Sequence, residues 1–404
     1  MDASGNATAI WHQDIEGTVW AARRPTSGTW EPPTLLDTET QTPFRPAPTR
    51  DVALDAAGDA VAVWKRVDGS VWASWSTAGA GWRAAERLTE VGEAGFEPTI
   101  ALDPNGRGFA VWQTGRSNAP DRDTRILARR VVEGRWEPAE EIQLSPAETG
   151  GSPQVAVGND GTAVAVWHEL RSGVFRIWAN RYRPATGWST AEPISPQEER
   201  EGAIFADVGA DALGNAVAVW THFPGGSLRD VAATRFDSGR GWGMAAIVAA
   251  GRPYPEYPRV AVDPSGNALA VWHEASPAGV FEVWAASFAH ASGWERPQRL
   301  QSPSASGADA PAMAVDARGN GIAAWRRDDG DRRVLWAARF RGTSGWEPPE
   351  PIGMAPASGP AVGPVAIALS PGGDGLVAWE QWDGTRFAIW ANRFAASGAA
   401  PPPR

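Results

Sequence analysis

The residues with the widest chemical range in this chain follow directly after tryptophans. Trp11, Trp64, Trp112, Trp167, Trp220, Trp272, Trp325 and Trp379 are each followed by a pair of residues that is mostly polar. The pairs are His12-Gln13, Lys65-Arg66, Gln113-Thr114, His168-Glu169, Thr221-His222, His273-Glu274, Arg326-Arg327 and Glu380-Gln381. Four of the 5 histidines fall in this set. A His-Glu pair has the residue types of an acid/base couple, or of nitrogen and oxygen ligands for a metal. Neighbouring residues of a strand point to opposite faces, however, so His168 and Glu169, or His273 and Glu274, are not expected to converge on one atom. The expectation is a row of polar, solvated strand ends. His12, His168, Glu169, His222, His273 and Glu274 are its candidate ligand contacts, and no catalytic residue, metal ligand or cofactor is assigned.

The elements that carry these pairs repeat. The eight tryptophans are spaced by 53, 48, 55, 53, 52, 53 and 54 residues, and each closes a run of the type D-A-A-G-D-A-V-A-V-W (55 to 64). Asp at the first position of that run and Gly at the fourth are what a type I turn with a following positive-φ residue prefers. Gly fills its slot in every copy; Asp fills its own at Asp2, Asp55, Asp103, Asp211, Asp263 and Asp316. The A-V-A-V-W segment is apolar on both faces and must be covered on both sides. A third strand follows as W-A-x-R-F, and a fourth begins at G-W-x-x-P. Links within a repeat are mostly short, and the link to the next repeat is long. This is the meander of a propeller blade. The sequence therefore predicts an all-β chain: a β-propeller of four-stranded antiparallel blades, one domain over 1–404, with eight repeats.

The ends are ragged. The first repeat opens inside its turn and the last lacks a fourth-strand tryptophan, Ala399 standing in that slot. Eight blades with two incomplete ones is the leading expectation; seven blades with overlapping terminal strands is the alternative. Met1 occupies a position where other repeats carry the last residue of a strand, so an upstream segment such as a secretion signal is expected to be missing; the alternative is a cytoplasmic protein that begins here.

The 23 tryptophans invite a sugar-binding reading, because indoles stack on sugar faces. Regular recurrence assigns most of them to packing between blades. Two fall outside the scheme. Trp75 occupies the slot where other repeats place Arg23, Arg130, Arg181, Arg235, Arg339 and Arg393, and Trp382 is expected in the loop between the second and third strands of the last repeat. Both join the candidate ligand contacts. The repeated arginine itself is expected to pair with a carboxylate or carbonyl between blades. The D-x-x-G turns lack the D-x-D-x-D-G spacing of an EF-hand, so their aspartates are read as turn residues.

The W-A-x-R-F and G-W-x-x-P signatures, alternating with D-x-x-G-N-A-x-A-V-W, resemble the Trp-rich tandem-repeat β-propellers of bacterial secreted and surface proteins. They are more distantly similar to sialidase and lectin propellers. The resemblance spans nearly the whole chain and implies the fold. It does not carry catalytic residues over. The sialidase S-x-D-x-G-x-T-W box is not present, and the chain holds only Tyr182, Tyr254 and Tyr257 as tyrosines.

Composition narrows the partners. Acidic residues number 47 against 37 basic ones, for a net charge of -10, which argues against nucleic acid. No apolar run reaches the ~18 residues of a membrane span. Cysteine is absent, so no disulfide or thiolate site forms. The leading expectation is a non-catalytic, secreted or cell-surface propeller that binds a glycan or a protein through its variable loop face. The alternatives are an interaction scaffold within a larger surface protein, and a glycoside hydrolase or lyase.

Overall fold

The structure is a computed structural model that describes residues 1–13, 18–26, 28–38, 50–115, 124–144, 149–198, 201–301, 307–329, 332–353, 365–382, 385 and 387–396. It forms eight successive antiparallel sheets, each in simple meander order, and the fold is an all-β, eight-bladed β-propeller. Six sheets have four or five strand segments; the first and last have three. Among the described residues, the first sheet has no inner strand and the last no outer one. The expected fourth strand is usually two short pieces. In the fourth blade Gly187–Trp188 pairs with Arg183 and Tyr182, and Glu192–Pro193 then pairs with Ala179 and Trp178. The chain divides into two compact units, 1–214 and 215–404.

The second strand explains why the sheets stack. In Ala60–Lys65, side chains alternate between two buried faces. Ala62 and Trp64 pack with Val19, Ile10 and Leu36 of the preceding blade. Val61 and Val63 pack with Ala110 and Trp112 of the following one. The same seam recurs in unit 1, where Phe109 and Val111 meet Ala163, Ala165 and Trp167. In unit 2, Val217 and Val219 meet Ala268, Ala270 and Trp272, and Ile322 meets Trp379. A-x-A-x-W thus faces backward and V-x-V forward. Small alanines leave room for an indole, and Trp64, Trp112, Trp167, Trp220, Trp272 and Trp325 are fully buried.

The D-x-x-G turns form as expected. Asp55 Oδ1 accepts from the amides of Ala57 and Asp59, both at 2.9 Å. Asp103, Asp263 and Asp316 repeat the pattern. The following glycine holds φ between 73° and 92° in all eight copies. It also leaves space for its neighbour, since a Cβ on Gly319 would lie 2.8 Å from Asp263 Oδ2.

A buried indole N–H needs an acceptor, and in the second, fourth and sixth blades a repeated clamp supplies one. Trp167 Nε1 donates to Glu169 Oε1 at 2.6 Å, and Arg171 Nε donates to Glu169 Oε2 at 2.6 Å. The Arg171 guanidinium lies 5.0 Å from the Trp178 ring centre. Glu274 joins Trp272 (2.8 Å) to Arg252 (3.4 Å), whose guanidinium covers Trp284. Asp37 joins Trp64 (2.5 Å) to Arg66 (2.7 Å), which covers Trp72.

Two outcomes follow from this geometry. Glu169→Ala strands an indole N–H and an arginine, and should lower unfolding free energy by about 3 kcal/mol in urea titrations, with Glu169→Gln losing less. Gly319→Ala should cost about 2 kcal/mol by the same measurement, through positive φ and the Asp263 clash.

Candidate functional site

The polar pairs that end the second strands are not solvated as expected. Glu169 is 0% exposed, Glu274 3%, His222 3% and His273 8%. The reason is the alternation already seen. The second residue after each tryptophan shares the tryptophan's face and enters the seam, so Glu169 and Glu274 are engaged in indole clamps. The first residue points to the other face, as expected, and His168 and Glu169 do not converge. Trp75 is 6% exposed and fills the seam to the next blade, where a Cβ on Gly134 would lie 3.0 Å from its ring. Trp382 is half-buried at the end of its strand, opposite Phe387. The third-strand arginine does bridge blades in places. Arg339 Nη1 donates to the Ala395 carbonyl and covers Phe394, and Arg130 covers Tyr182.

Next to these strand ends, the inner strand breaks register. Shifts occur between the pairs of Val111 and Gln113, Gly151 and Gln154, Glu256 and Arg259, and Asp309 and Ala312. Each bulge holds one non-glycine residue in the left-handed region: Glu97, Ser152, Tyr257 and Ala310, with φ between 48° and 51°. Phe205 takes the same slot in the fifth blade at 56°. Such a conformation costs a bulky side chain on the order of 1 to 3 kcal/mol, and bulges commonly re-aim side chains beside functional sites. The sequence carried a signal for this: Pro98, Pro153, Pro258 and Pro311 each follow the left-handed residue, and proline inside a strand marks a bulge.

In several blades the first residue after the tryptophan packs against an inner strand. Lys65 Nζ lies 4.2 Å over the Phe96 ring, and Arg50 Nη1 meets His12 Nδ1 at 3.3 Å. His168 sits edge-on between Phe175 and Phe205, at 5.4 and 6.3 Å. Burial pushes the His168 imidazole down to about 4, and its Nδ1 has no hydrogen-bond partner. His12 also falls to about 4, through burial and then through Arg50.

The sixth blade is the most elaborate instance. Its inner strand begins within the run Pro253-Tyr-Pro-Glu-Tyr-Pro258. Tyr254 and Tyr257 are both left-handed, at 50° and 48°, and 51% and 47% exposed. Between them Glu256 pairs with Arg229 at 3.1 Å, and Arg229 stacks 4.7 Å from the Tyr254 ring. His273 lies opposite Glu256, with Tyr257 at 6.1 Å and the exposed Phe281 at 5.2 Å. Burial lowers the His273 pKa; Asp309 and Glu256 oppose that, and Arg326 reinforces it. His273 was a candidate from the sequence, whereas Arg229, Tyr254, Tyr257 and Phe281 were not. The cluster offers open aromatic faces, a guanidinium, a carboxylate and an uncharged imidazole. Among the described residues, no three His, Cys, Asp or Glu side chains converge as a metal site.

No protein-family model matches this sequence, and no curated protein matches it at a significant level. Solved structures do share its fold. The BP39L lectin from Burkholderia pseudomallei superposes with a TM-score of 0.57 at 15% identity, covering 87% of this chain and 96% of the lectin. A PL25 ulvan lyase, a polysaccharide lyase bound to -[GlcA(1-4)Rha3S]-, gives 0.55 at 11% identity, covering 88% and 93%. The polysaccharide lyase Uly1 gives 0.55 at 9% identity, covering 90% and 93%. At these identities the likeness establishes the propeller fold and nothing further about the site.

Proposed function

We propose that this protein binds a glycan through the sixth-blade cluster. The observation that carries this reading is the pair of exposed, left-handed tyrosines flanking the Arg229–Glu256 ion pair. Strained bulky residues persist only where the surrounding structure holds them, and they gather at ligand sites. Phenol rings stack on the C–H faces of pyranoses, while guanidinium and carboxylate groups pair with hydroxyls. A lectin of the same fold accords with that chemistry. On this reading the protein works outside the cell, secreted or at the cell surface, where such glycans are displayed.

Glycan-array screening followed by calorimetry tests this. Tyr257→Ala and Tyr254→Ala should each weaken binding about tenfold, ~1.4 kcal/mol, while leaving the melting temperature near that of the parent. Unchanged affinity in the double variant would remove the sixth blade from the site.

A second reading is favoured by the His273–Tyr257 pair: elimination on a uronate-containing polysaccharide. Burial lowers the His273 pKa, and the Tyr257 ring lies 6.1 Å from the imidazole. A base takes the proton α to the uronate carboxyl, the C4–O bond breaks, the leaving oxygen takes a proton, and a C4=C5 double bond remains. The ultraviolet absorbance of that double bond reports turnover directly. A base with a depressed pKa stays unprotonated as pH falls through the ordinary imidazole range, so the rate should hold level there and drop only at lower pH. No absorbance gain on uronate polymers would leave binding alone.

A further inference from the structure

Three strand-two indoles, those of Trp112, Trp220 and Trp325, are buried without a hydrogen-bond partner, and of the three only Trp325 stands opposite a strand-three tryptophan covered by an arginine. In the second, fourth and sixth blades a carboxylate accepts from both the strand-two indole and an arginine that covers the strand-three tryptophan. The seventh blade has the same donors. Trp325 is fully buried, and Arg327 lies 4.5 Å from the Trp336 ring centre. Yet Trp325 Nε1 and Arg327 Nε are both buried without a hydrogen-bond partner. Among the described residues no acid accepts from either of them. Asp37, which serves Trp64 from the preceding blade, follows Leu36 at the end of an outer strand; in the sixth blade the corresponding residue, after Leu300, is Gln301. The equivalence is structural as well, since Leu36 packs with Trp64 and Leu300 with Trp325. Gln301 is 4% exposed, and its Oε1 also lacks a partner.

The geometry points to a carboxylate-sized monoanion bound in the seventh-blade clamp, accepting from Trp325 Nε1 and Arg327 Nε where its siblings hold Asp37, Glu169 or Glu274. Two buried donors without an acceptor, one of them charged, are costly alone and become stabilising once an anion joins them. A half-turn of the Gln301 amide exchanges Oε1 for Nε2 without changing its shape and adds a third donor. Among the described charges nearby, Arg326 pairs with Asp309 at 2.8 Å and Arg333 with Asp328 at 2.9 Å. Neither pair supplies the missing acceptor. The assignment is independent of the sixth-blade glycan reading.

Acetate and glucuronate, titrated at constant ionic strength, distinguish a free small anion from the carboxylate of a sugar acid. Thermal unfolding of the whole chain should show a saturable rise in Tm with acetate. Gln301→Asp places an acid where Asp37 stands in its own clamp, so it should melt higher without acetate and lose the saturable rise. Arg327→Met should also lose it. In a spectrum of nitrogen-labelled indoles, the Nε1–H resonance that Trp325→Phe removes should shift with acetate in the parent protein. A response to acetate alone assigns the clamp to free anions; a response to glucuronate as well assigns it to sugar acids. An equal Tm rise in parent and Gln301→Asp, or a Trp325 indole resonance that does not move, overturns the proposal.

Discussion

The seating of a strand-two tryptophan against the valines of the preceding blade governs this molecule. In A-x-A-x-W the alanines make room and the indole fills it, while V-x-V on the opposite face receives the next indole. Burying a tryptophan in this way stabilises the fold by several kcal/mol, on the order of the 3 to 5 kcal/mol that its truncation costs. It also brings an indole N–H into a place water does not reach. The polar pair after each tryptophan inherits both consequences. One member lies on the indole's face, where Gln13, Glu169, Glu274 and Gln381 accept from it; the other lies on the opposite face and is free to differ.

That division separates structural from functional chemistry. Glu169 and Glu274 look like catalytic carboxylates in the sequence, but the seam engages them with an indole and an arginine. Burial also raises the Glu274 pKa, an effect opposed by the indole and by Arg252. His168 and His273, one residue earlier, face the bulged inner strands instead. There the repeats diverge: the partner ring is Phe205 in one place and Tyr257 in another. Divergence on a repeated scaffold is where specific recognition is built.

Lectins and polysaccharide lyases share this architecture at low identity, as expected for a fold that hosts many chemistries on one frame. The sixth-blade cluster differs from the remaining bulges in having two open phenols and a guanidinium stacked on one of them. Its chemistry comes from six consecutive residues of the run from Pro253 to Pro258 and from the strands on either side. The rest of the scaffold holds that run in a conformation its tyrosines would not adopt alone.

The repeat is a local pattern, and local pattern was enough for much of the result. The period of the tryptophans, the D-x-x-G turns and the two-faced A-V-A-V-W strand determined the fold class and the number of repeats, and left seven or eight blades open. They also placed His168 and Glu169 on opposite faces, because side-chain alternation needs only backbone geometry. Burial was not legible. Whether a strand end meets water or a neighbouring sheet depends on residues some fifty positions away, such as the Gly134 that lets Trp75 enter a seam. Asp37 shows the same limit: it serves Trp64 from the preceding repeat, and no motif joins the two. The left-handed tyrosines lay between, marked by prolines within a strand yet given meaning only by the register shift beside His273. Periodicity is written in consecutive residues. The partner of a buried polar atom is decided only when separate repeats are packed together.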